Sequence, residues 1–230
     1  MSDISAADHA HPHDPHVAHH FDDAVQQHEA ATLGMWAFLA TEVLFFGGLL
    51  TAYAVYRHMY FREFEYASKE FLLWPLGAIN TAVLLCSSLT VVLAVHAAQH
   101  GEQKKLVQML LLTIVFGTAF LGVKAFEYYT DYKEGVVPGR FFHPHELKGE
   151  DAAMLDHRHL ELFMGFYFIL TAIHATHMII GLGLFTLLII EARKGRFGPG
   201  YSNPVEICGL YWHFVDLVWI FLFPLLYLIR

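Results

Sequence analysis

A glutamate stands inside a long apolar stretch of this sequence, where an ionisable side chain needs a reason. Glu42 has Phe38, Phe45 and Phe46 on the neighbouring turns of a predicted helix. An ionised carboxylate is costly in such surroundings, so we expect a protonated carboxyl group paired with a polar side chain of another helix. Two interpretations stay open: Glu42 is a hydrogen-bonded strut between helices, or it takes part in handling protons or lipid.

Histidines and an aspartate occupy two further apolar stretches. His174 and His177 are three residues apart, so they share one helix face, and they are the expected partners of Glu42. His213 and Asp216 have the same spacing, and a carboxylate beside an imidazole favours its charged form or fixes its tautomer. We interpret these groups as interhelical hydrogen-bonding residues, because polar side chains in lipid seek internal partners.

A cation and an anion are also spaced three residues apart in a third stretch. Lys124 and Glu127 lie near its predicted end, where we expect a neutralised pair. Four more residues are candidates for contacts with lipid or with another helix. They are Trp36, Asn80, Tyr167 and Trp212.

The sequence predicts no catalytic residue and no metal ligand set. Cys86 and Cys208 are too few and too far apart for a zinc site or a disulfide framework. A membrane cytochrome that stacks two haems needs histidine pairs several turns apart on the same helices, and no predicted helix carries them. Haem binding within this chain is therefore the weaker alternative, and copper or iron at His174 and His177 is weaker still.

The composition indicates that these residues are held by membrane-spanning helices. Of the 230 residues, 56% are hydrophobic and only 16% are charged, which is unusual for a soluble domain. A bilayer core is crossed by about 20 apolar residues in a helix, and five stretches reach that length. The formal net charge of −8 argues against a nucleic-acid partner. The predicted fold is an all-α bundle of five transmembrane helices, at about 32–56, 75–98, 106–129, 160–190 and 205–229.

Residues 1–30 form a separate region ahead of the transmembrane domain, which we place at 31–230. The region contains seven histidines and six acidic residues but no lysine or arginine. It also lacks apolar periodicity, so we expect a tail that is disordered unless it docks on a partner. Five basic residues are predicted on one side of the membrane and eight on the other. This count alone leaves the orientation open, since short loops weigh most in the positive-inside rule.

Four motifs in order resemble those of cytochrome oxidase subunit III, and together they span about residues 32–228. The sequence Thr-Glu-Val-Leu-Phe-Phe-Gly-Gly at 41–48 is similar to the family's Ser/Thr-Glu-x-x-Phe-Phe signature. The pairs Asn-Thr at 80–81 and Ser-Ser at 87–88 resemble its next helix. The last two helices are matched by the Thr, two His and Gly within 171–181, and by the aromatic run with His and Asp at 211–219.

The resemblance implies a short, five-helix bacterial subunit III of a haem-copper oxidase. Such a subunit carries no redox centre, since haem and copper lie in partner subunits. It packs against subunit I, holds phospholipid, and supports proton uptake and sustained turnover. Glu42 matches the family carboxylate that carbodiimides modify. The family places the chain in the bacterial inner membrane, with the N-terminus in the cytoplasm and the C-terminus and long loop in the periplasm.

One departure from the family pattern limits the lipid assignment. Many relatives have two histidines just before the last helix, where this chain reads Tyr-Ser-Asn-Pro-Val-Glu at 201–206. Headgroup contacts made by those histidines therefore do not carry over. The alternatives within the family are a quinol oxidase subunit III and an accessory protein of nitric oxide reductase. The alternatives outside it are a b-type cytochrome subunit and a small transporter, for which the repeats and broken helices are lacking.

Overall fold

The computed structural model describes residues 21, 23–140, 142–143 and 155–229. Residues 1–20 and 22, most of the predicted tail, lie outside these ranges, so its disorder and docking stay predictions. Within the described ranges all elements are helical and no strand occurs. The helices are α1 (Ala24–Met59), α2 (Phe61–Glu70), α3 (Trp74–Gln99), α4 (Gln103–Lys133), α5 (His157–Arg193) and α6 (Asn203–Tyr227).

Five of these helices, all except α2, are long and apolar enough to cross a membrane. This confirms the predicted all-α membrane fold and the order of its five spans. Every span except the last is longer than predicted at both ends. α6 begins two residues earlier and also ends two residues earlier, at Tyr227.

The early starts of α1 and α5 follow from aspartate caps. An oxygen of Asp23 accepts the backbone N–H of Gln26 at 2.7 Å, and Asp156 accepts that of Arg158 at 2.9 Å. Such caps satisfy N–H groups that have no partner within the helix. The last residues assigned to the tail therefore form the first turns of α1. As predicted, α3 opens with Pro75 in its first turn.

The polar linker predicted after the first span contains a further helix, α2. Its Phe64, Ala67 and Ser68 are buried, and it packs on α5 and against the end of α6. The other side of α2 is charged. An amphipathic helix of 10 residues is too short for a membrane span, and the hydropathy pattern alone does not reveal it.

α2 and α1 also satisfy backbone carbonyl groups at the end of α6. The hydroxyl of Ser68 donates to the carbonyl oxygen of Leu226 at 2.7 Å. The hydroxyl of Tyr53 donates to the carbonyl oxygen of Leu225. The last carbonyl groups of a helix have no partner within it, and an unpaired one is costly inside a membrane.

Helix α1 lies at the edge of the bundle. It packs mainly against α6, with smaller contacts to α2 and α5. Helices α3 and α4 form the most extensive pair, joined by a tight turn in which Gly101 has a positive φ of 72°. Inside the bundle, Gly117 and Gly181 leave room for the large ring of Trp212. Small residues at these positions let α4, α5 and α6 approach closely.

Candidate functional site

Glu42 on α1 faces α5 and α6 inside the membrane-spanning region. Its Oε2 atom lies 3.5 Å from Nε2 of His177, and the two side chains are only 18% and 15% exposed. His174 makes no such contact. His177, one of the two predicted partners, is therefore the residue that pairs with Glu42. The predicted pairing of Glu42 with a histidine of the fourth span is confirmed.

Hydrogen bonds to Tyr211 fix the orientation of His177. The hydroxyl of Tyr211 donates to the backbone carbonyl of His177 at 3.0 Å, and Nδ1 of His177 is 3.2 Å from the same hydroxyl oxygen. The two contacts share one hydroxyl group, so Tyr211 holds both the ring and the backbone of His177. Nε2 of His177 is left facing Glu42.

His174 lies deeper in the bundle, in an aromatic enclosure. The rings of Phe120 and Trp219 have centroids 5.4 and 5.3 Å from its imidazole. Its side chain is buried, and neither nitrogen has a hydrogen-bond partner among the described residues. His174 and His177 therefore have different surroundings, although they share one helix face.

His213 and Asp216 do not pair, contrary to what their spacing led us to expect. Nδ1 of His213 is instead 2.8 Å from the hydroxyl oxygen of Ser88 on α3, and Asp216 is buried. No ion pair joins His213 to Asp216 in the structure. Among the described His, Cys, Asp and Glu residues, no group of three is arranged to hold a metal ion.

A second polar cluster joins α4, α5 and α6 near the C-terminal end of α4. Nζ of Lys124 donates to Oε2 of Glu127 at 2.8 Å, which confirms the predicted pair. It also donates to the hydroxyls of Tyr167 on α5 and Tyr227 on α6, each at 2.9 Å. Tyr227 donates in turn to Oε1 of Glu127 at 2.7 Å. Asp131 follows one turn later and is equally buried, so the predicted pair is part of a larger cluster of five polar residues.

The four candidate contact residues divide into one outer and three inner positions. Trp36 on α1 is exposed on the outer surface of the bundle. Asn80, Tyr167 and Trp212 are buried, and Trp212 donates from Nε1 to the Ser87 hydroxyl at 3.0 Å. The inner three therefore lie between helices, and only Trp36 is placed to meet lipid or another chain.

Several members of these clusters were not recognised from the sequence. Asp131 follows Lys124 by seven residues and therefore shares its helix face, but it lay outside the predicted span, which ended at Tyr129. The spacing would have identified Asp131 if the predicted span had extended to the end of α4. No one-helix pattern could reveal Tyr211 or Tyr227 as partners, because the contact joins different helices.

Removing the Glu42 carboxyl group should weaken the contact between α1 and α5. Glu42→Ala strands Nε2 of His177, and we expect a loss of about 1 kcal/mol, the low end for an unsatisfied group because the pair is partly accessible. Glu42→Gln keeps a hydrogen-bonding group and should cost less. The Tm of the purified protein measures both changes.

Glu29→Ala is the matched control, since Glu29 is exposed on the same helix. A Glu42→Ala protein that melts with the control would show that the Glu42–His177 contact contributes nothing to stability.

Comparisons with known proteins found matches over most of the chain. The family model described as cytochrome c oxidase subunit III matches residues 16–142 and 161–229. Quinol oxidase subunit 3 of Bacillus subtilis (strain 168) is 29% identical over 218 residues, covering 93% of this chain and 96% of the relative. The probable quinol oxidase subunit 3 of Staphylococcus haemolyticus (strain JCSC1435) is 27% identical over 217 residues, with the same coverage. The relative of that name in Staphylococcus aureus (strain USA300) is also 27% identical.

Proposed function

The chain belongs to the cytochrome c oxidase subunit III family, and we propose that it is the non-catalytic subunit III of a proton-pumping haem-copper terminal oxidase. The family match over both halves of the chain is the observation that carries this proposal. Haem and copper belong to the partner subunits, which pass electrons to O₂. The polar groups of this chain hold its own helices together and, at Glu42, provide a proton-exchanging pair beside the catalytic subunit.

The proposed location is the bacterial inner membrane, with the N-terminus in the cytoplasm and the C-terminus in the periplasm. The main partner is subunit I. The exposed side of α1 supports this contact, because Leu44 on it is 77% exposed. A side chain added at Gly47 or Gly48 would meet nothing within 4 Å. A helix of subunit I can therefore approach the α1 backbone closely at these two glycines.

Bound phospholipid is part of the same proposal. A groove of about 420 Å³ runs between α3 and α6 on the surface of the bundle. Val92, Val95 and Leu210 line its apolar part, and Gln99 and Glu206 lie at its polar end. This arrangement suits an acyl chain whose headgroup lies at the membrane surface.

The electron donor of the complex is either cytochrome c or a quinol. The family description favours cytochrome c, whereas the relatives described above are named as quinol oxidase subunits. The donor site lies in other subunits, so the second candidate function is subunit III of a quinol oxidase.

Purification of the complex in mild detergent tests these assignments. We expect the chain to copurify with a haem-copper subunit I that consumes O₂ and pumps protons when reconstituted in vesicles. Assays with reduced cytochrome c and with a quinol then identify the donor. Activity towards nitric oxide without proton pumping would instead support the accessory-protein alternative. Haem absorbance in the isolated chain would contradict the non-catalytic role.

A further inference from the structure

The hydrogen bonds of the Lys124 cluster determine which of its groups are charged. Tyr227 gives its only hydroxyl proton to Glu127, so the Tyr227 oxygen must accept from Lys124. The Tyr167 hydroxyl oxygen also accepts from Lys124. With its bond to Glu127, Lys124 makes three donations in all, which matches the three N–H groups of an ammonium ion. Lys124 is therefore positively charged.

Glu127 is the anion that balances this charge. Its two carboxyl oxygens accept from Lys124 and from Tyr227 at 2.8 and 2.7 Å, so each oxygen already has a hydrogen-bond donor. A carboxylate with donors on both oxygens is stabilised in its ionised form. Lys124 and Glu127 together carry no net charge.

Asp131 is a second carboxyl group in the same cluster, and the described residues place no second cation there. It is 2% exposed, and its Oδ2 atom has no hydrogen-bond partner among the described residues. An ionised Asp131 would place an unbalanced negative charge beside Glu127 in a buried site, which is strongly unfavourable. The groups that act on it are Lys124 and Glu127 of α4, Glu134 directly after α4, and Tyr167 of α5. Tyr227 of α6 also interacts with it.

We propose that Asp131 holds a proton in the folded chain, so that the Lys124 cluster is a proton-binding site that clamps α4, α5 and α6 together. The proton resides on Oδ2, the oxygen without a partner. Loss of this proton leaves two carboxylates facing one ammonium and weakens the contact among the three helices. The assignment holds whichever oxidase the chain joins, because it depends only on groups within this chain.

The sign of the pH effect follows from the number of bound protons. The folded chain holds a proton on Asp131 at a pH where an unfolded chain, with its aspartate in water, has released it. Stability therefore falls as the pH rises, until the folded Asp131 also loses its proton. Asp131→Asn mimics the neutral form in shape and charge, and should remove this part of the pH dependence.

Infrared spectroscopy of the purified complex tests the proposal directly. The spectrum of the native complex minus that of Asp131→Asn should contain the carbonyl band of a protonated carboxyl group at neutral pH. Glu29→Gln is the matched control, since Glu29 is exposed on α1 and is not among the groups that act on Asp131, and its difference spectrum should lack that band. A carboxylate band lost in the Asp131→Asn spectrum would show that Asp131 is ionised, and would overturn the proposal.

Thermal release of the chain from the complex gives an independent measurement. The Tm of the native complex should fall by several degrees more than that of Asp131→Asn when the pH is raised from acidic to alkaline. Glu29→Gln should follow the native curve. Equal slopes for the native protein and Asp131→Asn would contradict the proposal. So would failure of Asp131→Asn to assemble at any pH, because a neutral group of the same shape must be tolerated.

Discussion

Lys124→Met is expected to destabilise the chain by about 3–5 kcal/mol, because it leaves Glu127 without its counter-charge in a buried site. Methionine fills a similar volume, so the loss is one of charge and hydrogen bonds rather than of packing. Tyr167 and Tyr227 would each lose a donor as well. The chain should then be depleted from the purified complex. Glu127 can take up a proton to limit the damage, so the depletion should be greatest at high pH.

Two further variants separate charge from packing. Lys133→Met removes an exposed lysine from the same helix and should leave the amount of bound chain unchanged. The double variant Lys124→Met, Glu127→Gln removes both charges and should recover part of the loss, since an uncharged pair carries no unbalanced charge. Normal assembly of Lys124→Met alone would mean that the Lys124–Glu127 ion pair does not stabilise the bundle.

Gly181→Ala is expected to separate α5 from α6. A Cβ atom added there lies 2.7 Å from the ring of Trp212 and 3.3 Å from the ring of Tyr211. Both rings are buried, so the helices must move, at a cost of about 1–3 kcal/mol for overpacking. The Tm of the purified complex measures the effect.

Gly183→Ala provides the comparison on the same helix. A Cβ atom at Gly183 meets nothing within 4 Å, so this variant gains only the small helix preference of alanine over glycine. The difference in Tm between Gly181→Ala and Gly183→Ala therefore measures the steric clash with Trp212. Identical melting of the two variants would show that the bundle adjusts at Gly181 without strain.

The sequence predicted those parts of the fold that depend on hydropathy and length. The five spans appear in the expected order because each must bury a continuous apolar helix in lipid. Their ends were less predictable, since Asp23 and Asp156 extend α1 and α5 through caps made beyond the apolar stretches. Helix α2 escaped prediction because Phe64 and Ala67 give it one narrow buried face within a polar segment.

The candidate sites were predictable only in part. The cost of an ionisable group in lipid singled out Glu42 and a histidine partner, and the structure places His177 there. The same kind of spacing predicted the wrong partner for His213, which contacts Ser88 of another helix rather than Asp216. Spacing along one helix identifies residues on a common face, but it does not reveal which neighbouring helix supplies a closer partner.

The contact between the first and last helices has a consequence for biosynthesis. Helix α1 packs mainly on α6, and the hydroxyl of Tyr53 reaches a carbonyl group 172 residues later in the chain. During synthesis α1 therefore lies in the membrane, largely without its native neighbours, until α6 has left the ribosome. A chaperone or insertion factor that shelters α1 would act throughout that interval, and a chain that stalls before α6 would present an unpaired first helix to the membrane proteases.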